Sequence, residues 1–434
     1  MSDSELVSQS SYILKCLSCN TEFHDEYQLM CTANGCTALL RTEYPDEEFK
    51  LEENEGLFRF INWLPVENSI QTKAGPVTFQ SEELNKRLGL PNLYISFNGY
   101  YPERGAYSQA CSFKEYEAYP TLQRMKERRQ GVVQVSSAGN TARAFAIASE
   151  KVDQKVVLTV PTHSLSRVWT LNTNHENILL FAVDGDYFDA ITFGRALVAA
   201  NEELLPEGGA RNVARRDGMG LTLLNATLKI GRLPDYYFQG IGSGTGGIAA
   251  YETALKLIKD GKYGDQVPKF MLSQNIPFTP MVKAWRAGRR TIIEAEDMPD
   301  AKNAIDTIYA KLLSNRVPPY SIEGGVFDIL TKSNGDMLDV TNDEAKQAFE
   351  LFEEIEQIDI DPAAAVALAS LIKANEDNKI DAETTILLNI SGGGYKRIEK
   401  DKKIHHVKPA MTISSNDFSQ LPKEALKLLE TFLK

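Results

Sequence analysis

From about Val132 the chain alternates short apolar runs with longer amphipathic stretches. Val132-Val133-Gln134-Val135 is β-branched and ends in Ser136-Ser137-Ala138-Gly139-Asn140. Such a run, closed by small polar residues, predicts a buried strand followed by a turn. An Ala-rich helical stretch follows through Ser149. Val156–Pro161 and Ile178–Val183 read as further strands. Tyr236–Gly240 is another, running into the glycine cluster Gly242–Gly247 and then a helix through Leu257. Lys269–Gln274 is strand-like again. Thr385–Ile390 is an apolar strand that stops at Ser391-Gly392-Gly393-Gly394. Strands alternating with helices predict βαβ units and a largely parallel sheet.

The later part is more helical. Thr341-Asn342-Asp343-Glu344 has capping-box spacing and opens a helix through Glu354. Asp361-Pro362 places an N-cap before a proline at the first helical position and opens Ala363–Lys373. The acidic stretch Asp343–Glu356 reads as the solvated face of a helix, and Lys396–Lys403 as an exposed charged segment.

No apolar run approaches the roughly 18 residues of a membrane span. Met1–Ser11 is polar and acidic, unlike a secretory leader, so the reading is a cytoplasmic chain. A length of 434 residues suggests about three domains. The 47 Lys+Arg against 59 Asp+Glu give a net charge of −12. That balance argues against a nucleic-acid partner, yet a locally basic pocket could still take a small anion.

Cys16, Cys19, Cys31 and Cys36 stand as C-x2-C, eleven residues, C-x4-C, with Asn34-Gly35 offering a turn. In a reducing compartment disulfides are not expected. Two tight pairs at this separation suit a tetrahedral zinc of structural type, since four protein ligands leave no open position. Reduced thiols packed as small hydrophobes are the alternative.

Four segments carry candidate chemistry, each at a strand end or helix start, where open parallel sheets bind ligands. The first is Gly242-Ser243-Gly244-Thr245-Gly246-Gly247. It matches neither the dinucleotide spacing nor a P-loop, and suits a phosphate monoester held by backbone N–H groups at a helix start. A plain glycine-rich turn would look similar. The second is Ser136-Ser137-Ala138-Gly139-Asn140-Thr141, whose hydroxyls and amides could hold a carboxylate, with Asn140 reaching a ring oxygen. An ordinary helix cap explains it equally. In Ser112-Phe113-Lys114 the lysine follows a small apolar stretch, unusual for a surface cation. A lysine that condenses with a carbonyl must lose its proton near neutral pH, which desolvation favours. Finally, Ser391 ends a strand and could face a heteroaromatic nitrogen without protonating it.

This order of motifs resembles the pyridoxal-phosphate enzymes of fold type II: Ser-x-Lys, Ser-Ala-Gly-Asn, Gly-Ser-Gly-Thr-Gly-Gly, then Ser-Gly-Gly-Gly. The N-terminal cysteine pairs are similar to those of threonine synthases. Gly99-Tyr100-Tyr101-Pro102-Glu103-Arg104-Gly105-Ala106, running into Cys111-Ser112-Phe113-Lys114-Glu115, resembles the cysteate synthase branch more closely. So do Phe58-Arg59-Phe60 through Trp63-Leu64-Pro65. The resemblance implies an α/β fold like that of tryptophan synthase β. It has two open, twisted, mostly parallel sheets and a zinc-ribbon-like module at residues 1–45. A large cofactor-binding domain would span 46–110 and 200–434, and a small substrate domain 111–199.

The resemblance also implies roles. Lys114 would hold the pyridoxal phosphate and move the α-proton. Asn140 would bond the cofactor's phenolic oxygen. Gly242, Ser243, Gly244, Thr245 and Gly246 would hold its phosphate, and Ser391 would face its pyridine nitrogen. Ser137 and Thr141 would lie near the substrate carboxylate. The implied reaction turns O-phospho-L-serine and sulfite into L-cysteate and phosphate, in a homo-oligomer. Two anionic reactants call for fixed cations, with Arg104 first, then Arg143 and Arg215-Arg216. Threonine synthesis from O-phosphohomoserine and an O-phosphoserine sulfhydrylase are the nearest alternatives. Glu103-Arg104-Gly105 before the lysine departs from the threonine synthase pattern.

Overall fold

A computed structural model describes residues 12–33, 35–45, 47–414 and 421–434. The polar leader Met1–Ser11, Asn34 of the expected turn and Asp46 lie outside the described residues.

Near the N-terminus Ile13–Cys16 is the middle strand of a three-stranded antiparallel sheet, flanked by Glu22–Phe23 and Leu40–Glu43. This small sheet is bolted to the body through buried polar groups. Arg124 donates from Nε and Nη2 to the two oxygens of Asp25, both at 2.6 Å, and neither side chain is exposed.

The body holds two sheets. Six strands lie in the order Asp336–Val340, Lys269–Asn275, Tyr236–Gly240, Ile386–Ile390, Leu93–Phe97 and Val77–Phe79. All pair in parallel except the last, which is antiparallel to its neighbour. Five parallel strands form the other sheet: Leu204–Pro206, Val132–Ser136, Val156–Pro161, Ile178–Asp184 and Met411–Ser414. Its central strands come from the expected small-domain stretch 111–199, while both edge strands come from outside it. The central strands are buried at nearly every position, which is why the sequence shows continuous apolar runs rather than alternation.

Four helices position the site: α1 (Lys114–Arg128), α2 (Asn140–Val152), α3 (Thr245–Asp260) and α4 (Pro362–Glu376). Asp361 caps α4 by accepting from Ala363 N at 3.0 Å, with Pro362 at the first helical position as its sequence predicts. The capping box Thr341/Glu344 forms at the start of Asn342–Glu356. That helix is not wholly solvated. Its last residue, Glu356, is buried and accepts from Arg104 at 3.1 Å, because the Pro102–Gly105 turn packs over it.

Candidate active site

The N-termini of the four helices meet at the carboxyl ends of the two sheets. Lys114 opens α1, and the preceding residues are sewn to the end of Ile386–Ile390. Ser112 bridges to Gly392, and Phe113 N donates to the Ser391 carbonyl at 2.9 Å. A Cβ on Gly392 would sit 2.6 Å from the Cys111 carbonyl, so the close approach requires glycine. This stitching brings Lys114 and Ser391, far apart in sequence, to one place.

One cavity is lined by Lys114, Ser137, Asn140, Thr141, Gly242, Ser243, Gly244, Thr245, Gly246 and Ser391. Burial lowers the Lys114 amine to about 8, and Glu117, one helical turn on, pulls it back up. The Lys114 Nζ lies 3.5 Å from Glu117 Oε2, and the same oxygen is 3.0 Å from Arg215 Nε. Arg215 also donates to Glu207 Oε2 at 2.9 Å. Burial raises the Glu117 carboxyl, with Arg215 and Lys114 working against that rise. The result is a row of alternating charges whose formal sum is zero, ending at a lysine that gives up its proton easily.

The glycine loop enters α3 with Gly244 in the left-handed region at φ 80°, where a Cβ would also run into Val326 Cγ2. Ser243 and Thr245 hydroxyls lie 2.9 Å apart. The first-turn N–H groups of this sixteen-residue helix have no carbonyl partners within it. With two hydroxyls beside them they form an anion cradle favoured by the helix dipole. On the opposite wall Asn140 Nδ2 donates to Asp361 Oδ2 at 2.8 Å, and Tyr395 Oη donates to the same oxygen at 2.8 Å. Ser137 Oγ accepts from Gly139 N at 3.0 Å.

Of the candidate arginines, only Arg215 lines this cavity. Arg104 does not; it pairs with Glu356 and lies over the Phe79 ring at 4.4 Å. Arg143 is consumed by structure, donating to the carbonyls of Ala110 and Arg167, to Asn140 Oδ1 and to Tyr395 Oη. Arg216 ties Glu252 to the carbonyls of Ala210 and Leu40. Cys111 is buried, its thiol pushed well up by desolvation, which suits packing rather than nucleophilic work. Asp361 on the cavity wall, and Glu117 and Glu207 behind it against Lys114 and Arg215, are groups that the sequence reading did not assign to the site. The only local signal was the i, i+3 spacing of Lys114 and Glu117.

The donor set suits pyridoxal phosphate: a desolvated lysine for the aldehyde, a helix-start cradle for a monoester, and a neutral hydroxyl at Ser391. A family model described as "Pyridoxal-phosphate dependent enzyme" matches residues 79–392. Cysteate synthase from Methanoculleus marisnigri is 49% identical over 409 residues, covering 94% of each chain. Cysteate synthase from Methanosarcina acetivorans is 47% identical over 420 residues, 96% of this chain and 99% of the relative. The chain belongs to the cysteate synthase family. Members of the family are fold type II enzymes using pyridoxal phosphate, and solved structures agree at the level of fold. A fungal L-serine ammonia-lyase from Rhizomucor miehei superposes with TM-score 0.56 at 15% identity, over 75% of this chain and 95% of that one. Threonine deaminase isoform 2 from Solanum lycopersicum superposes with TM-score 0.52 at 16% identity, over 87% and 99%.

Away from this cavity, the Sγ atoms of Cys16, Cys19, Cys31 and Cys36 all lie within 4.8 Å of one another. The Cys16–Cys36 and Cys19–Cys31 pairs are at 3.3 and 3.5 Å. Four thiolates around a tetrahedral zinc with bonds near 2.3 Å sit about 3.8 Å apart, so the cluster fits that ion. Among the described residues, no helix is long and apolar enough to cross a membrane.

Proposed function

We propose that the chain replaces the phosphate of O-phospho-L-serine with sulfite, yielding L-cysteate and phosphate. The observation that carries this reading is the convergence on one cavity of a lysine of lowered basicity, a monoester cradle and Ser391, in a chain of this family. Bound pyridoxal phosphate supplies an electron sink for the negative charge left on Cα. Lys114 takes the proton from Cα and later returns it to the same atom. The Gly242–Gly246 amides hold the cofactor's phosphate, and Ser391 meets its ring nitrogen as a neutral partner. Asn140 reaches the phenolic oxygen, its amide fixed from behind by Asp361 and Arg143. Ser137 and Thr141 receive the substrate carboxylate. The Cβ–O bond breaks with its electron pair going to phosphate, which takes up a proton from solvent, and sulfite enters afterwards as the dianion. The sulfur lone pair makes the Cβ–S bond. Arg215, not Arg104, is the guanidinium on the cavity wall, where Glu117 and Glu207 pair with it.

Supplying O-phosphoserine and sulfite and analysing products by mass spectrometry tests the assignment. Cysteate is expected. Threonine from O-phosphohomoserine and water, with no cysteate from the first pair, would overturn it. Lys114→Ala is expected to lose both the visible absorption band and turnover; turnover surviving that change would remove Lys114 from the role.

A further inference from the structure

A second cavity of about 340 Å³ opens beside the first. Ala138, Tyr187 and Asn315 line both, so the two chambers share a wall. The outer chamber lies between loops of the five-stranded sheet and the segment around Lys311–Arg316. Its charged lining comprises Arg167, Lys311, Arg316, Asp186 and Asp306, together with His163. Three cations against two carboxylates leave it net positive, in a chain whose formal charge is −12.

The cations are not equally committed. Arg316 reaches Asp186 at 3.4 Å and Glu294 at 3.3 Å and lies 5.3 Å from the Phe188 ring centroid. Arg167 and Lys311 make no side-chain ion pair with any described residue. Both nonetheless sit close enough to His163 to depress its basicity, after burial itself. Arg167 is held in place by its stem. Gly139, at φ 133°, has no Cβ, and one built there would fall 2.7 Å from Arg167 Cδ. The loop that carries Asn140 therefore leaves a slot that an arginine stem fills. On the other wall Lys311 heads the turn whose next residues, Leu312 and Leu313, face the inner cavity.

We propose that this outer chamber is an oxyanion site that loads sulfite, with Arg167 and Lys311 as its binding cations. The assignment rests on the β-replacement reading given above. The amino-acid reactant must enter the inner cavity, where Lys114 stands, so its phosphate travels with it. The nucleophile is a separate small anion, needed only after phosphate has left, and requires its own cationic path to Cβ. A guanidinium can grip two oxygens of such an ion at once, and an adjacent ammonium adds a point charge. Released inorganic phosphate has the same chemistry and passes through the same chamber, so it competes with sulfite there.

Arg167→Gln, Lys311→Gln and the double variant of the holoenzyme test the assignment. Each single change is expected to raise KM for sulfite about tenfold or more, by loss of a charge-assisted contact. Phosphate release from O-phosphoserine without sulfite should stay within about twofold of wild type. Arg167→Lys should recover most of the loss. Inorganic phosphate should inhibit wild type competitively against sulfite, and the double variant far less. A KM for sulfite within about twofold of wild type overturns the proposal. So does an equal loss in the sulfite-free step, which would place these cations on the amino-acid reactant. Calorimetric titration with inorganic sulfate separates the chamber from the reaction. If wild type makes no cysteate yet binds sulfate at least tenfold more tightly than the double variant, the β-replacement reading fails and the oxyanion site stands. Equal sulfate binding by the two proteins removes the site.

Discussion

Replacing Glu117 by Gln deletes the negative charge 3.5 Å from the Lys114 amine while keeping the side chain's shape. With its folded value near 8, Lys114 is about 10% unprotonated at pH 7, a few hundredfold more than a lysine at 10.5. Glu117 is what holds that value up. Two unit charges at this separation attract by about 5 kcal/mol at an effective dielectric of 20 and about 1 kcal/mol in bulk water. At 1.36 kcal/mol per unit, losing the carboxylate lowers the amine by roughly one to four units. Arg215, freed from one of its two partners, pushes the same way. The expected midpoint is therefore about 7 or below. The assay is the rate at which cofactor-free protein captures pyridoxal phosphate, followed by visible absorption across pH. Only the unprotonated amine attacks the aldehyde. Wild type should reach its plateau above about pH 8, and Glu117→Gln at least one unit lower, with capture at pH 7 about fivefold faster. An unchanged or raised midpoint, in a variant with wild-type circular dichroism, would refute the electrostatic account of the charge row.

Arg124→Met strands a buried Asp25 and should cost about 3–5 kcal/mol in urea unfolding at pH 7. Burial raises the Asp25 carboxyl, but Arg124 and Tyr12 outweigh it and hold the group below its ordinary value. Its stabilisation is thus present above about pH 4 and is lost as pH falls through the lower folded value, so the gap between wild type and variant should narrow in acid. Metal analysis should find about one zinc per chain; Cys16→Ser should lose it and unfold at lower temperature, whereas an unchanged Tm would deny the cluster a structural role. Gly244→Ala forces a side chain into a left-handed position and against Val326, and should weaken cofactor retention measured by the absorbance ratio of purified protein.

The βαβ organisation was readable because the central strands are buried on both faces and leave continuous apolar runs such as Val156–Pro161. The glycine loop and Ser391 were readable because turns at strand ends need particular residue types. What stayed hidden was pairing over long sequence distance. Arg104 looked like an anion-binding cation because its segment is distinctive, yet Glu356, more than 250 residues later, takes its charge. The role of Arg143 is hidden in the same way, since three of its four acceptors are not its helical neighbours. Asp361 was visible as a helix cap but not as the acceptor for Asn140, because one carboxylate oxygen serves the cap and the other the site. Glu207 is joined to Lys114 by contacts through Arg215 and Glu117, a relation no local pattern encodes.

These hidden pairings share one helix. α1 begins at Lys114 and, ten residues on, presents Arg124 to Asp25, just beyond the edge strand of the N-terminal sheet. Along the way Glu117 meets Arg215 of the helix Val213–Ile230, and the next residue of that helix, Arg216, reaches back to the Leu40 carbonyl of the same N-terminal sheet. Two buried guanidiniums therefore anchor the cysteine-bearing sheet to the two helices that set the charge around the catalytic amine. Leaving either guanidinium unpaired in the interior would be costly, so the N-terminal sheet and these helices are held in one register. If the cysteine cluster binds zinc, the metal rigidifies the N-terminal segment that carries both acceptors, Asp25 and Leu40. Its effect on Lys114 would then travel through packing and buried ion pairs, without any ligand of the metal entering the active cavity.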